Sequence, residues 1–303
     1  RQLADFSSRR DLPHLQGSGE ALYAEWFGEV CERTAQTIAQ WMRVGFVHGV
    51  MNTDNLSILG LTIDYGPYGW IDNYDPDWTP NTTDAGRRRY RFGQQMQVAW
   101  WNLSRLAEAL APLFASTEPL QAGLDWYASS YVTAERRMQA DKLGLDEPRI
   151  EDDALHASLH TLMAQAQIDM TLFYRALLDV DPTQPHPTAA MEEAFYDAAL
   201  RERFDGELRD WLARYAKRLG EDPQSPHGRR ERMRRANPRY VLRNYLAQQA
   251  IDQATQGDLS GVHTLLEVMR HPCDDQPGRE HYAGKRPDWA KEKAGCSMLS
   301  CSS

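Results

Sequence analysis

Two short polar segments of this sequence have the residue types and the spacing that metal-dependent phosphate chemistry requires. The first segment is residues 48–55 (HGVMNTDN) and the second is residues 64–66 (DYG). Mg²⁺ prefers oxygen ligands from carboxylates and amides, with phosphate and water completing its octahedron. A protein kinase supplies such ligands from the Asn that ends its catalytic loop and from an Asp followed by an aromatic residue and Gly. Asn55 and Asp64 occupy these two positions, so we predict that they are metal ligands.

The first segment lacks the base that a kinase normally uses. When the kinase pattern H-R-D-L-x-x-x-N is laid on it, His48 and Asn55 match, and Val50 falls on the catalytic Asp. A valine side chain cannot accept a proton, which disfavours hydroxyl phosphorylation by the usual route. Asp54 is the nearby carboxylate within the loop, so it is the candidate for a relocated base or for a group that orients the metal or the nucleotide. His48 is expected to form structural hydrogen bonds.

The elements that must hold these segments are mostly helical by their periodicity. Apolar residues at helical spacing predict a helix that begins near Gly19, is capped by Ser18 and ends near Val44. Residues 56–63 (LSILGLTI) are apolar and partly β-branched, which predicts a buried strand or tight hairpin between the two segments. Gly66 is expected to supply the sharp turn after that strand, because glycine tolerates a positive φ.

The rest of the chain adds one long loop and further helices. Residues 67–92 are rich in Pro, Gly, Asn, Asp and aromatics, which predicts a long ordered loop. A further helix is indicated by apolar residues from 98 to 113, and others are predicted over residues 118–143, 152–180, 189–219, 238–256 and 259–269. The basic run 229–235 is predicted to be a solvated helix face, and Arg243 is predicted to pair with a buried carboxylate. The fold class is therefore mostly α with a small β element.

Composition narrows the functional classes. The chain has 303 residues, 42% of them hydrophobic, and a formal net charge of -9. An acidic balance argues against a general nucleic-acid partner, whose phosphates need clustered Lys and Arg. No apolar stretch approaches the ~20 residues that would span a membrane, so no membrane partner is expected. The four cysteines have no zinc spacing, which is typical of a cytoplasmic protein, and Cys31 is predicted to be a buried apolar residue.

The residues around both segments resemble the selenoprotein O family of protein adenylyltransferases, in its bacterial branch. The resemblance is carried by residues 45–69, and it continues through residues 89–92, 101–106 and 237–246, so that it spans nearly the whole chain. It implies a protein-kinase-like C-lobe with additional C-terminal helices. The lobe with its catalytic and activation-type loops would cover residues 1–220, and the helical extension with a Cys-containing tail would cover residues 221–303.

The resemblance also implies an activity. Members transfer AMP from ATP to Ser, Thr or Tyr hydroxyls of proteins and release pyrophosphate, so ATP and protein acceptors are the expected partners. Asp54 would match the catalytic base, and Asn55 and Asp64 would match the ligands of Mg²⁺ or Mn²⁺. The nucleotide clamp of the family lies on an N-lobe, and no matching Gly-rich, Lys and Glu set is found here. The chain therefore resembles the C-terminal part, and it is expected to be inactive or poorly active by itself.

Two further expectations concern cysteine chemistry and rival functions. Cys301 occupies the position of selenocysteine in some animal members, but residues 67–92 contain no cysteine that could pair with it as in some relatives. One rival function is a small-molecule phosphotransferase, which Val50 argues against. The other is a non-catalytic pseudokinase module that binds partners.

Overall fold

The computed structural model describes residues 1–181, 187–291, 293, 295–296 and 299. Its described part contains a two-stranded antiparallel sheet, β1 (Phe46–Val47) and β2 (Gly69–Trp70), in which Phe46 lies opposite Trp70. The α-helices of this part are α1 (Gln2–Asp11), α2 (Gly19–Val44), α3 (Gln95–Leu110), α4 (Glu118–Leu143), α5 (Asp152–Gln165), α6 (Met170–Leu177), α7 (Ala198–Gly220), α8 (Pro226–Ala236), α9 (Asn244–Thr255) and α10 (Ser260–Arg270). The prediction of a mostly helical protein with a small β element is confirmed. Cys301 lies outside the described residues.

The long helix α2 delivers the chain to the first polar segment. The apolar residues whose spacing predicted this helix are all buried, namely Leu22, Trp26, Val30, Ile38 and Trp41. Ser18 has the N-cap position, but its side chain makes no capping hydrogen bond. Gly45 ends the helix in the left-handed region, at φ 74°, and its N–H bonds the carbonyls of the last turn. Because glycine adopts this conformation without strain, the helix stops one residue before β1 begins.

The prediction of a buried strand or tight hairpin at residues 56–63 is wrong, because no residue of this segment lies in a strand. The segment is a turn centred on Gly60, which has φ 69°, and the side chains of α2 bond its polar groups. Thr37 Oγ1 donates to Gly60 O at 2.6 Å, and Trp41 Nε1 donates to Thr62 Oγ1 at 2.9 Å. These hydrogen bonds from α2 take the place of bonds to a neighbouring strand. The two strands of the sheet lie instead before residues 48–55 and after residues 64–66.

Three predicted helices are shorter than their patterns suggested. The pattern over 152–180 is divided into α5 and α6 at Gln167, which has φ 50°, and Asp169 then caps α6 by accepting from Leu172 N. The pattern over 189–219 is a 3₁₀ turn, Pro187–Ala194, followed by α7. The pattern over 238–256 becomes helical only from α9 onward. Periodicity does not reveal such breaks, because apolar residues on both sides still face the same core. The predictions for α3, α4 and α10 are confirmed.

Strand β1 lies between two apolar cores. Phe46 packs in a core made mainly by α2, α3 and α4, and Val47 packs in a core made mainly by α5, α6 and α7. Alternate residues of a strand point in opposite directions, which explains this division. A third, smaller cluster is formed by residues from 245 to 296. The first polar segment therefore starts from a strand that is fixed on both faces.

Within the described residues, no helix combines the length and the apolar character needed to cross a membrane.

Two helical glycines provide a matched test of the packing of α2 against α4. A methyl group at Gly123 in α4 would lie 2.5 Å from the ring of Phe27, which is fully buried, whereas a methyl group at Gly206 in α7 would meet nothing within 4 Å. Both Gly→Ala changes gain the same helix propensity. We expect Gly206→Ala to raise the free energy of unfolding by about 0.5–1 kcal/mol. We expect Gly123→Ala to lower it by about 1–3 kcal/mol through overpacking.

Urea unfolding followed by circular dichroism measures both changes. Equal effects of the two substitutions would contradict the close packing of α2 on α4.

Candidate active site

The backbone of the first polar segment is held by side-chain amides. Gln95, the first residue of α3, is fully buried, and its side chain bonds the backbone of Phe46 in β1 and of His48 just after β1. Its Nε2 donates to Phe46 O at 2.9 Å, and its Oε1 accepts from His48 N at 3.1 Å. A buried backbone group without a partner is costly, so this one side chain replaces a missing strand partner.

The next three carbonyls of the segment are bonded in the same way. The bonds run from Asn81 Nδ2 to Gly49 O at 3.1 Å, from Asn55 Nδ2 to Val50 O at 2.9 Å, and from Asn102 Nδ2 to Met51 O at 3.1 Å. The donors come from the long loop, from the segment itself and from α3. An irregular loop is thereby fixed as firmly as a regular element.

The two polar segments pack directly against each other. Gly49 has φ 80°, and a Cβ atom there would lie 2.3 Å from Pro67 O, so only glycine fits. A Cβ atom at Gly66 would lie 4.0 Å from Val50 Cγ2. The apolar side chain at the position of the kinase base therefore faces the DYG turn.

The turn of the second segment is made by an unexpected residue. Asp64 has φ 56°, whereas Gly66 is not among the residues with positive φ. The prediction that Gly66 supplies the left-handed residue is wrong. A non-glycine residue in this region carries backbone strain, and such strain is found most often at functional sites. The turn therefore sets the direction of the Asp64 carboxylate itself.

His48 joins the two segments and is neutral. Its ring is fully buried, stacks on Trp41 with centroids 5.4 Å apart, and bonds Ile63 O through Nε2 at 2.8 Å. Burial lowers the pKa of His48. A carbonyl partner requires that Nε2 carry the proton. The structural role predicted for His48 agrees with this geometry.

The predicted functional carboxylates are exposed. Asp54 lies in a 3₁₀ turn, Thr53–Asn55, and Asp64 lies at the turn described above. Neither carboxylate has a hydrogen bond or an ion pair within the part of the chain that the structure describes. The Nδ2 atom of Asn55 is committed to Val50 O, which leaves its Oδ1 atom for a ligand. The atoms that Asp54, Asn55 and Asp64 leave available are therefore oxygen atoms.

This donor set fits Mg²⁺ or Mn²⁺ as a partial site. Among the described residues, no three His, Cys, Asp or Glu side chains form a group that could hold a metal. Mg²⁺ is usually bound through one or two carboxylates, with substrate phosphates and water completing its shell. Asn55 and Asp64 would therefore hold a metal together with a nucleotide.

Several residues that build the site were not predicted from the sequence. They are the amides Gln95, Asn81 and Asn102, together with Tyr90, whose hydroxyl donates to Asn52 Oδ1 at 2.5 Å. Each is distant in sequence from its partner, and one sequence gives no signal for such pairs. Aromatic residues form a wall beside the DYG turn, where Tyr65 meets Tyr68 at 5.2 Å between centroids.

The cavities near and far from the segments differ in size. A cavity of about 300 Å³ lies between residues 53–58 and α3, and it is lined by Thr53 and Asn102 but by neither carboxylate. A groove of about 930 Å³ lies between α2, α4 and α8, away from both segments. Both predicted carboxylates are exposed, and neither of them lines these two cavities.

Comparison with known proteins assigns the chain to a family of nucleotidyltransferases. The sequence model of the family "Protein adenylyltransferase SelO" matches residues 1–270, and the chain belongs to this family.

Among curated relatives, the protein nucleotidyltransferase YdiU of Xanthomonas axonopodis pv. citri is 64% identical over 303 residues, which is 100% of this chain and 58% of that protein. The proteins of the same name from Xanthomonas euvesicatoria and Xanthomonas oryzae are 64% and 63% identical over the same lengths. The chain thus spans little more than half the length of these relatives.

The role of Gln95 can be tested by stability. Gln95→Leu would leave Phe46 O and His48 N buried without partners, so we expect the free energy of unfolding to fall by about 2–4 kcal/mol. Gln97→Leu on the same helix is the control, because Gln97 is exposed, and its effect should stay within about 0.5 kcal/mol. Urea unfolding measures both variants, and a cost at Gln95 no larger than at Gln97 would contradict the role assigned to this amide.

Proposed function

We propose that this chain is the catalytic-loop part of a protein adenylyltransferase, which transfers AMP from ATP to Ser, Thr or Tyr hydroxyls of proteins and releases pyrophosphate. The observation that supports this most directly is the packing of the two polar segments. Val50 faces the DYG turn at the position of the kinase base, while Asp54 and Asp64 are both exposed. Membership of the SelO family supports the same reaction.

In this proposal each polar residue has one role. Asp54 is the base that accepts the proton of the acceptor hydroxyl. Asn55 Oδ1 and the Asp64 carboxylate would hold Mg²⁺ or Mn²⁺, which would supply positive charge for the triphosphate. Val50 cannot accept the proton, and its apolar side chain faces the DYG turn.

The remainder of the site belongs to the whole protein. We propose that residues 1–220 form a protein-kinase-like C-lobe and that residues 221–303 form its helical extension, which includes a small apolar cluster of residues from 245 to 296. The nucleotide clamp would lie on an N-lobe outside this chain. The exposure of Asp54 and Asp64 supports this, because a nucleotide bound at these two carboxylates needs a further part of the protein to enclose it. A cytoplasmic location remains a prediction.

The reaction can be tested with the full-length protein, a protein acceptor and ATP labelled at either end. We expect label from [α-³²P]ATP, and none from [γ-³²P]ATP, to become covalently attached to protein. Asp64→Ala should reduce transfer by at least about 10²-fold, because the metal's contribution to charge stabilisation is worth several kcal/mol. Asp54→Ala should lower kcat without loss of ATP binding.

Asp210→Ala is the matched control, since Asp210 is an exposed carboxylate on α7, far along the chain from both segments. Transfer of the γ-phosphate would instead support a phosphotransferase. No transfer, together with no rise in melting temperature on adding ATP and Mg²⁺, would support a non-catalytic module. Full activity of Asp64→Ala would remove its metal role.

A further inference from the structure

A strongly basic turn lies beside the candidate active site. We call residues 84–91 (DAGRRRYR) the arginine turn. Arg87, Arg88 and Arg89 are consecutive and exposed, in a chain whose formal net charge is -9. A cationic patch on an acidic protein marks a place where an anionic partner is attracted locally.

The arginine turn is built to point its cations outward. The carboxylate of Asp84 is buried and accepts from Arg89 N at 2.9 Å and from Tyr90 N at 2.7 Å, while Asp84 O accepts from Arg88 N at 2.6 Å. The one acid of the turn is therefore used for backbone bonds and not to neutralise a guanidinium. Arg88 has φ 47°, a strained conformation that these bonds maintain.

The guanidinium groups of Arg87, Arg88 and Arg89 have no acidic partner in the described part of the chain, whereas Arg91 pairs with Asp77 at 2.9 Å. Arg87 and Arg88 make no ion pair or side-chain hydrogen bond in the described part of the chain. Arg89 lies over the ring of Trp101, 4.5 Å from its centroid, and this ring is itself exposed. Stacking of this kind leaves the charge available while it limits the motion of the side chain. The patch thus combines three available cations with an aromatic surface.

The position of the turn connects it to the acceptor end of the site. Tyr90, the residue after the three arginines, bonds Asn52, which lies two residues before Asp54. Asn102, the residue after Trp101, bonds Met51 O. Both ends of the patch therefore contact the loop that carries the proposed base.

We propose that the arginine turn binds an acidic segment of the acceptor protein, next to the hydroxyl that is modified. The inference rests on the proposed function, because it names the class of acceptor that the same site takes. Three cations on one short turn suit a few carboxylates, whereas nucleic-acid binding draws on many phosphate contacts, which a chain of net charge -9 disfavours. The selectivity is for acidic residues near a Ser, Thr or Tyr.

The test uses the full-length protein and two synthetic peptides of equal length, each with one central Ser, flanked by Glu in one peptide and by Lys in the other. The wild type should transfer AMP to the Glu peptide with the lower KM. Combined substitution Arg87→Glu, Arg88→Glu and Arg89→Glu should raise KM for the Glu peptide on the order of tenfold, because three rim charges are reversed. KM for ATP should stay within about twofold.

A control variant of the same charge change separates docking from general repulsion. Arg9→Glu, Arg214→Glu and Lys217→Glu reverse three exposed cations on α1 and α7. This variant should keep the KM of the wild type for the Glu peptide. Equal KM values for the two peptides, or equal losses in both variants, would overturn the proposal. A rise in KM for ATP alone would show that the turn binds the nucleotide instead.

Direct binding keeps the test independent of catalysis. Fluorescence anisotropy of the labelled Glu peptide, measured with the full-length protein, should weaken on the order of tenfold in the arginine-turn variant and stay unchanged in the control. If the wild type transfers no AMP to any acceptor but binds the Glu peptide in this way, the proposed function fails and the docking surface stands. Competition by single-stranded RNA at lower concentration than the Glu peptide would overturn the choice of a protein partner.

Discussion

The hydrogen bonds from side-chain amides to the backbone of residues 46–51 are the interaction on which the candidate site depends. This segment has no regular structure after β1, so its carbonyls cannot find partners in a ladder or a helix. Gln95, Asn102 and Asn81 supply those partners from α3 and from the long loop, and all three side chains are buried. A buried amide bond that is fully satisfied rigidifies its surroundings, and one left unsatisfied is costly. The start of α3 and the path of the long loop are therefore fixed by the same bonds that fix the loop carrying Asp54.

A second constraint ties the C-terminal region to the end of β2. Arg243 is buried and bridges two carboxylates, with its Nη1 atom 2.6 Å from Asp72 and 2.9 Å from Asp169. Arg286 pairs with Asp72 at 2.9 Å, and the hydroxyl of Tyr196 donates to Asp169 at 2.8 Å. Burial raises the pKa of Asp72, and the two arginines oppose that rise. Because removing one member would leave a buried charge, such a network fixes one arrangement of the segments more than it adds stability.

The sequence predicted the helices whose apolar stripes are uninterrupted, and it predicted that Arg243 pairs with a buried carboxylate. It did not predict that residues 56–63 fold as a turn. Polar groups of this segment accept hydrogen bonds from Thr37 and Trp41 in α2 and not from a neighbouring strand, and the apolar, β-branched pattern gives no sign of this. It placed the left-handed residue at Gly66 by propensity, whereas the turn is made by Asp64. The candidate residues themselves followed from spacing, since a kinase-like order is local in sequence. The amides that hold them did not, because each bond joins distant parts of the chain.

Asp54 and Asp64 differ from other acids of this region in how they are bonded. The chain carries 34 Lys and Arg residues, and acids such as Asp84, Asp72 and Asp169 are bonded by backbone N–H groups or by arginines. Asp54 and Asp64 have no such partner in the described part of the chain, although the arginine turn contacts the same loop through Tyr90. Two carboxylates without protein partners keep their oxygen atoms available, which the proposed base Asp54 and the proposed metal ligand Asp64 each require. In the proposed function Asn55 and Asp64 would supply two of the ligands of a metal ion, and phosphate oxygens and water would complete its shell, so that metal binding and nucleotide binding would be linked.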